Sequence, residues 1–359
     1  MKITKYNTIC NLGSNIDEVF ENAIKGNSEN FVMQNGRRLA AVDVKLPEIK
    51  NSDYDLRCNR MILACLESLK IEELDKSTTA VVCATTNSGV EEYEFSSNIK
   101  HFQIGNPAEF VQNYYGFTNY YTSVSTACSS GIKAFSIAQD LLKSDYAEKV
   151  LVIGVDSLAK VPIYGFDSLE ILSTKPSLPF SKNRCGINIG EGVAAFVVEK
   201  EGEGIEIAGI GETTDFYHST TPDPDGVETE RAIRLALGDL KSVDYINLHG
   251  TGTIANDLME GRAVANVFGV DVPASSTKPL TGHCLGAAAA IEVALCCKLL
   301  DAHSERVFPH VYDGEYDDKI PQIQLADVNT RVENIKTCLC TSFGFGGTNT
   351  AIVLRSDYV

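Results

Sequence analysis

The chain has 359 residues, 44% of them hydrophobic, enough to bury a large core and to suggest two domains or one duplicated unit. A formal charge of −17 argues against nucleic acid or an anionic membrane as the main partner and leaves room only for local basic patches. Eleven cysteines, an odd number, with no apolar leader behind a basic start and no apolar run near the ~18 residues of a membrane span, predict a soluble protein of the reducing cytoplasm that carries thiols rather than disulfides.

Strands alternate with helices along the chain, the pattern of an α/β architecture on a mostly buried sheet. A helix is predicted over 60–69, a strand over 79–86 ("TAVVCATT"), and a helix over 106–115 behind an Asn-Pro start. Then comes "VSTACSSGIKAF", in which Cys128 falls between a strand end and a helix predicted over 129–143. Unpaired amide N–H groups and the helix dipole favour negative charge there, so the position predicts a thiol pKa below the free value of about 8.5. The competing reading is a buried structural cysteine, and a nucleophile needs partners elsewhere in the chain. Strands follow at 148–156, 192–200 and 244–250, the last ending beside His249, with helices over 227–237 and 257–268. A long helix over 282–300 opens at His283, and a strand over 348–356 follows the glycine-rich "SFGFGGTN".

The chain repeats itself. "STACSSGIKAF" has an echo in "SSTKPLTGHCLGAAAA", and "GEGVAAFVVEK" has one in "FGGTNTAIVLRS". This predicts two similar halves, 1–202 and 203–359, whose equivalent helix N-termini bring Cys128 and His283 toward one crevice. Of six histidines, only His249 in "NLHGTGT" and His283 in "TKPLTGHCLG" stand at junctions beside glycines, where a ring can be held rigidly for acid, base or hydrogen-bond work. His101, His218, His303 and His310 read as surface or packing residues. Lys278, five residues before His283, would bias both imidazoles toward the neutral form. The glycines flanking Phe345 permit backbone geometries that expose N–H groups, which makes this loop a candidate oxyanion donor. "CC" at 296–297 and "CLC" at 338–340 lack zinc-site spacing and read as core.

"TACSSG", "HGTGTIAND", "STKPLTGH" and "SFGFGGTN", in this order, resemble the four active-site signatures of the β-ketoacyl-acyl-carrier-protein synthases of the Cys-His-His type. "GFDSLEILST" and "PFSKNRCGINIGEGVAAFVVE" match two further family segments. The resemblance implies a duplicated thiolase-like fold with layered α-β-α-β-α architecture, usually a homodimer, with no tightly bound cofactor and no metal. It implies that Cys128 is acylated by an acyl carrier protein thioester, with its own N–H and that of Phe345 as the oxyanion hole. His249 and His283 would stabilise the enolate that forms when malonyl carrier protein loses carbon dioxide. Lys278 would organise His283 and pair with Glu260; Thr251 and Thr253 would bind the phosphopantetheine arm; Phe343 and Phe345 would gate the acyl pocket. Asn247 and Glu292 match positions that hold a monovalent cation in some members.

Departures from the pattern are a short N-terminal half, a first segment "KITKYNTIC" too polar for the expected strand, and Ser181, Ile254 and Ala289 in place of the family's aspartate, proline and glycine. An acidic chain facing an acidic carrier needs a local basic patch, for which Arg184 and Lys182 are the candidates. The alternatives are the active member of a heterodimer with a chain-length factor, a non-catalytic chain-length factor, or a coenzyme A thiolase using Cys338 or Cys340 as its base. An initiating synthase is expected to have asparagine in place of one histidine.

Overall fold

The structure is a computed structural model and describes residues 1–356. Its strands in chain order are β1 (Lys2–Cys10), a hairpin of β2 (Val32–Gln34) and β3 (Arg37–Leu39), then β4 (Thr79–Ala84), β5 (Tyr121–Val124), β6 (Lys149–Asp156) and β7 (Gly192–Glu199). The later strands are β8 (Ile205–Thr214), β9 (Tyr245–Asn247), β10 (Pro273–Ser275), β11 (Gln324–Leu325), β12 (Thr337–Gly344) and β13 (Thr348–Arg355). All except the hairpin join one eleven-stranded sheet, ordered β11-β10-β9-β12-β13-β8-β1-β7-β6-β4-β5.

That order contains one arrangement twice: β1-β7-β6-β4-β5 and β8-β13-β12-β9-β10 each run first, last, fourth, second, third. In each set the first three neighbours pair antiparallel and the next two parallel. In the sheet the sets join through two antiparallel residue pairs of β1 and β8, Lys2 with Glu206 and Ile3 with Ile205.

Burial shows why the layers stack. Ala80, Val82 and Ala84 of β4 face a central apolar cluster, while Val81 and Cys83 face an outer one, the two-residue alternation of a strand covered on both sides. The central cluster joins residues of both strand sets to helices Ser130–Lys143 and Ala288–Asp301. One outer cluster is covered by helices Arg57–Leu66 and Asn106–Tyr115, the other by Val227–Leu237 and Ile254–Phe268. The result is the helix-sheet-helix-sheet-helix layering expected. The two central helices touch at Gly131, where an added Cβ would lie 2.6 Å from the Ala290 nitrogen and 3.0 Å from the Ala289 Cβ.

Most element boundaries fall within a few residues of expectation, and three readings change. The polar first segment is strand β1, and it runs through the middle of the sheet: Thr8 donates to the Val193 carbonyl at 2.8 Å and Asn7 to that of Cys65 at 2.9 Å, so its buried polar groups are satisfied. The second-half helix predicted over 282–300 begins only at Ala288, because Gly282 at φ +70° and Leu285 at φ +51° keep its first residues out of the helical conformation. Arg184 is no docking cation: its side chain is 4% exposed, bonded to Asp317 at 2.6 Å with Asp257 at 3.7 Å, and Lys182 is ion-paired to Glu315. All eleven cysteines are unbridged thiols. Among the described residues, no helix is long and apolar enough to cross a membrane.

Candidate active site

Cys128 sits in the turn between β5 and helix Ser130–Lys143, after Ala127, which adopts a left-handed φ of +54°. Local hydroxyls hold that turn. The Thr126 N–H donates to Ser130 Oγ at 2.8 Å, and Ser129 Oγ donates to the Thr126 carbonyl at 2.6 Å. The second half locks it as well, through Ser342 Oγ on the Cys128 carbonyl at 2.9 Å and Gly344, where a Cβ would lie 2.5 Å from the Thr126 carbonyl oxygen.

The expected low thiol pKa is not what this environment produces. Burial pushes the Cys128 thiol up to about 11, opposed by the Lys278 ammonium and by the N–H groups of Cys128 and Phe345. Desolvation outweighs the helix end because Cys128 is buried, only 6% exposed. Those same two N–H groups are the ones an oxyanion at this sulfur would use.

His249 follows β9, where Glu260 fastens the backbone: its Oε1 accepts from the His249 N–H and its Oε2 from the Gly250 N–H, both at 2.7 Å. Glu260 does not pair with Lys278 as expected. Burial pushes its carboxyl up to about 7, and the amide and Thr341 hydroxyl donors resist that rise. Lys278 bonds Glu292 instead, Nζ to Oε1 at 2.6 Å, both side chains 2% exposed. His283 is pinned by its N–H on the Asn188 carbonyl at 2.7 Å, and its Nδ1 accepts from the Leu285 N–H at 3.1 Å. An accepting Nδ1 in a neutral ring leaves the proton on Nε2, so His283 presents a donor. Burial and the charge of Lys278 push both imidazoles well below 6.5, His249 with a further contribution from His283.

The rings of His249 and His283 stand edge to face, centroids 5.5 Å apart, and Phe343 packs on His249 at 5.5 Å. One ligand atom each of Cys128, His249 and His283 lies within 4.8 Å of the other two. These are also zinc-type ligands, but the neighbouring ammonium of Lys278 opposes a dication there as it opposes ring protonation. The Asn247 carboxamide and Glu292 Oε2 are buried without a partner among the described residues, a donor set that fits a monovalent cation. Cys338 and Cys340 are fully buried, Cys340 faces Cys296 at 3.3 Å, and neither lines the cavity at Cys128, which argues against either as the base of a thiolase.

A cavity of about 500 Å³ leads to the three residues. Thr251 and Thr253 line it, their hydroxyls 2.9 Å apart, together with Phe343, Phe345 and Ile254. Arg184 also borders it, through the side chain already paired to Asp317. The sequence reading missed two of its walls. One is the segment 215–222 with His218, which meets the Phe345 loop through the Gly346 N–H on Ser219 and the Asp215 N–H on Gly347, at 2.8 and 3.0 Å. The other is Phe166, whose ring lies 5.6 Å from that of Phe345. "GFDSLEILST" contained Phe166 as a signal, whereas nothing in 215–222 marked that stretch as more than a turn.

The layered, internally repeated architecture, with a thiol and two imidazoles meeting in it, is a thiolase-like fold. Residues 54–203 match the family Beta-ketoacyl synthase, N-terminal domain, and residues 205–311 match Beta-ketoacyl synthase, C-terminal domain, so the chain belongs to the β-ketoacyl synthases. It is 35% identical over 255 residues to 3-oxoacyl-[acyl-carrier-protein] synthase 2 of Coxiella burnetii, covering 65% of this chain and 61% of the relative. It is 34% identical over 250 residues to nodulation protein E of Rhizobium leguminosarum bv. trifolii, covering 65% and 60%. The chain spans 60–66% of the length of such curated relatives. Among solved structures, the ketosynthase ApeO, in complex with its chain length factor ApeC from Xenorhabdus doucetiae, superposes with a TM-score of 0.92 at 32% identity, covering 99% of this chain and 97% of that one.

Proposed function

We propose that this chain is a 3-oxoacyl-acyl-carrier-protein synthase that joins malonyl carrier protein to an acyl group held on Cys128. The observation that carries the reading is the meeting of one thiol and two neutral imidazoles within 4.8 Å at the end of a cavity. A protonated thiol beside an imidazole is a nucleophile that loses its proton as it attacks. The Cys128 sulfur attacks the acyl thioester, the tetrahedral oxyanion rests on the N–H groups of Cys128 and Phe345, and the pantetheine sulfur leaves with the proton. Malonyl thioester then enters with its carbonyl oxygen on the imidazole donors, among them His283 Nε2–H. Carbon dioxide leaves with no base required, because the C–C bond electrons become the enolate that the imidazoles stabilise. That carbanion attacks acyl-Cys128, the oxyanion collapses, and the sulfur departs as a thiolate that takes up a proton from solvent, giving a 3-oxoacyl product and the free thiol.

In this reading Thr251 and Thr253 hold the phosphopantetheine arm, and Phe343 with Phe345 closes on the acyl chain. A monovalent cation on Asn247 and Glu292 would supply a fixed positive charge, and no step passes through it. The halves divide at 202/203, supported by the repeated strand order. The partners are an acyl carrier protein and a second chain of the same fold. Phe95, Ile99 and Phe102 are 76, 60 and 56% exposed in the half that carries the edge strand β5, an apolar face such a chain would cover. ApeO's pairing with a chain length factor supports a heterodimer in which this chain, having Cys128, is the active member. Unbridged thiols support a cytoplasmic setting.

The test is incubation with malonyl and acyl carrier proteins, reading Cys128 and products by mass. Cys128→Ala takes up no acyl group, and His249→Ala or His283→Ala is acylated but condenses about a hundredfold slower or worse. Wild-type condensation by Cys128→Ala would end the proposal.

A further inference from the structure

Helix Lys160–Ser168 borders the cavity yet contributes no buried residue, so its position is set by a few contacts. At its start, the Lys160 N–H donates to Glu91 at 2.9 Å and the ammonium meets Glu94 at 3.2 Å. At its end, Arg37 Nη2 reaches both carboxylate oxygens of Asp167 at 2.6 Å across 130 residues of chain. Between these ties, Ile163 and Phe166 rest on a small apolar cluster of Leu39, Ile187 and Ile189, separate from the three main cores.

Arg37 and Leu39 belong to the same strand, β3, of the hairpin that lies outside the main sheet. The hairpin is in turn fastened to the site, since the Ala40 N–H bonds the Ile189 carbonyl at 2.9 Å and the Gly190 N–H bonds the His283 carbonyl at 3.0 Å. Phe166 and Ile187 both line the cavity, and Phe166 meets the Phe345 ring whose backbone N–H faces the thiol.

We propose that Arg37 is a positioning residue for substrate selection: through Asp167 it fixes the helix that carries Phe166 against Phe345, and so limits the acyl chain that the cavity wall accepts. The inference rests on the condensing activity proposed above. Arg37 touches no reacting atom. A helix held by few contacts shifts when one is cut, and the ring facing Phe345 shifts with it. The pair is partly exposed, so its loss leaves the fold intact and alters the wall rather than the core.

The experiment compares wild type, Arg37→Ala, Asp167→Asn, Arg37→Lys and the double swap Arg37→Asp/Asp167→Arg. Each is assayed as the full chain, with its partner subunit if one co-purifies, on acyl carrier thioesters from acetyl to dodecanoyl. The two single losses raise KM for the acyl length wild type prefers by up to about fivefold and move the product profile toward longer chains. They leave kcat with acetyl and the melting midpoint unchanged. Arg37→Lys and the swap recover the wild-type profile at least in part. An unchanged length profile in Arg37→Ala, or a uniform fall in kcat at every length, overturns the proposal. Absence of condensation by wild type itself refutes the underlying activity instead.

Discussion

The Lys278–Glu292 pair offers the sharpest test of how this site is built. Glu292→Gln keeps the side-chain size and removes one charge from a contact of 2.6 Å between groups that are each 2% exposed. Burial pushes the Glu292 carboxyl up, while the ammonium pulls it down and bonds it. At an effective dielectric of about 20 the attraction is about 6 kcal/mol, and the desolvation of both groups offsets part of it. Removing one partner strands a buried charge, and the expected loss is about 3–5 kcal/mol. Urea denaturation at neutral pH measures it.

A double variant, Lys278→Met/Glu292→Leu, is expected to regain most of that stability, since apolar residues of similar volume need no partner. Its chemistry should nevertheless suffer in a defined direction. The Lys278 charge lowers the pKa of both imidazoles, so removing it raises them, and the neutral rings are lost at a higher pH on acidification. The acid limb of the condensation profile therefore moves upward in pH. A loss below about 1 kcal/mol in Glu292→Gln, or a double variant as weak as the single, would refute the reasoning.

Three further outcomes follow from the same geometry. A thiol at about 11 is mostly protonated near neutrality, so alkylation of Cys128 by iodoacetamide should climb roughly tenfold per pH unit toward that value; a plateau by about pH 8 would restore the helix end as the dominant influence. Gly131→Ala forces a methyl against Ala289 and Ala290 and should cost about 1–3 kcal/mol in denaturation, and a neutral result would mean the central helices are not in the contact described. Dialysis against a chelator should leave condensation unchanged, and a loss restored by zinc would make Cys128, His249 and His283 a metal centre instead.

Much of this protein was readable from residue patterns because its signals are local. Runs such as "TAVVCA" and "KVLVIGVD" mark strands covered on both faces, and Cys128, His249 and His283 each stand at a small-residue junction that a motif records. The echo between the halves also predicted one crevice for Cys128 and His283, the junction residues of matching helices. Long-range partners were not readable in this way. Lys278 lies 14 residues from Glu292 and 18 from Glu260, a difference that spacing cannot resolve, and only packing shows which carboxylate reaches the ammonium. Arg184 looked like a surface cation because "SKNR" is polar, yet Asp257 and Asp317 arrive from distant segments to bury it.

The amino-acid order alone thus determined the repeated α/β plan and marked Cys128, His249 and His283 at small-residue junctions, since those depend on neighbours along the chain. Tertiary structure decided the thiol's protonation, the true ion pairs, and the wall formed by Phe166 and segment 215–222. Solvent exclusion and contact between remote segments arise only once the layers close, and no local pattern encodes how dry a sulfur will be.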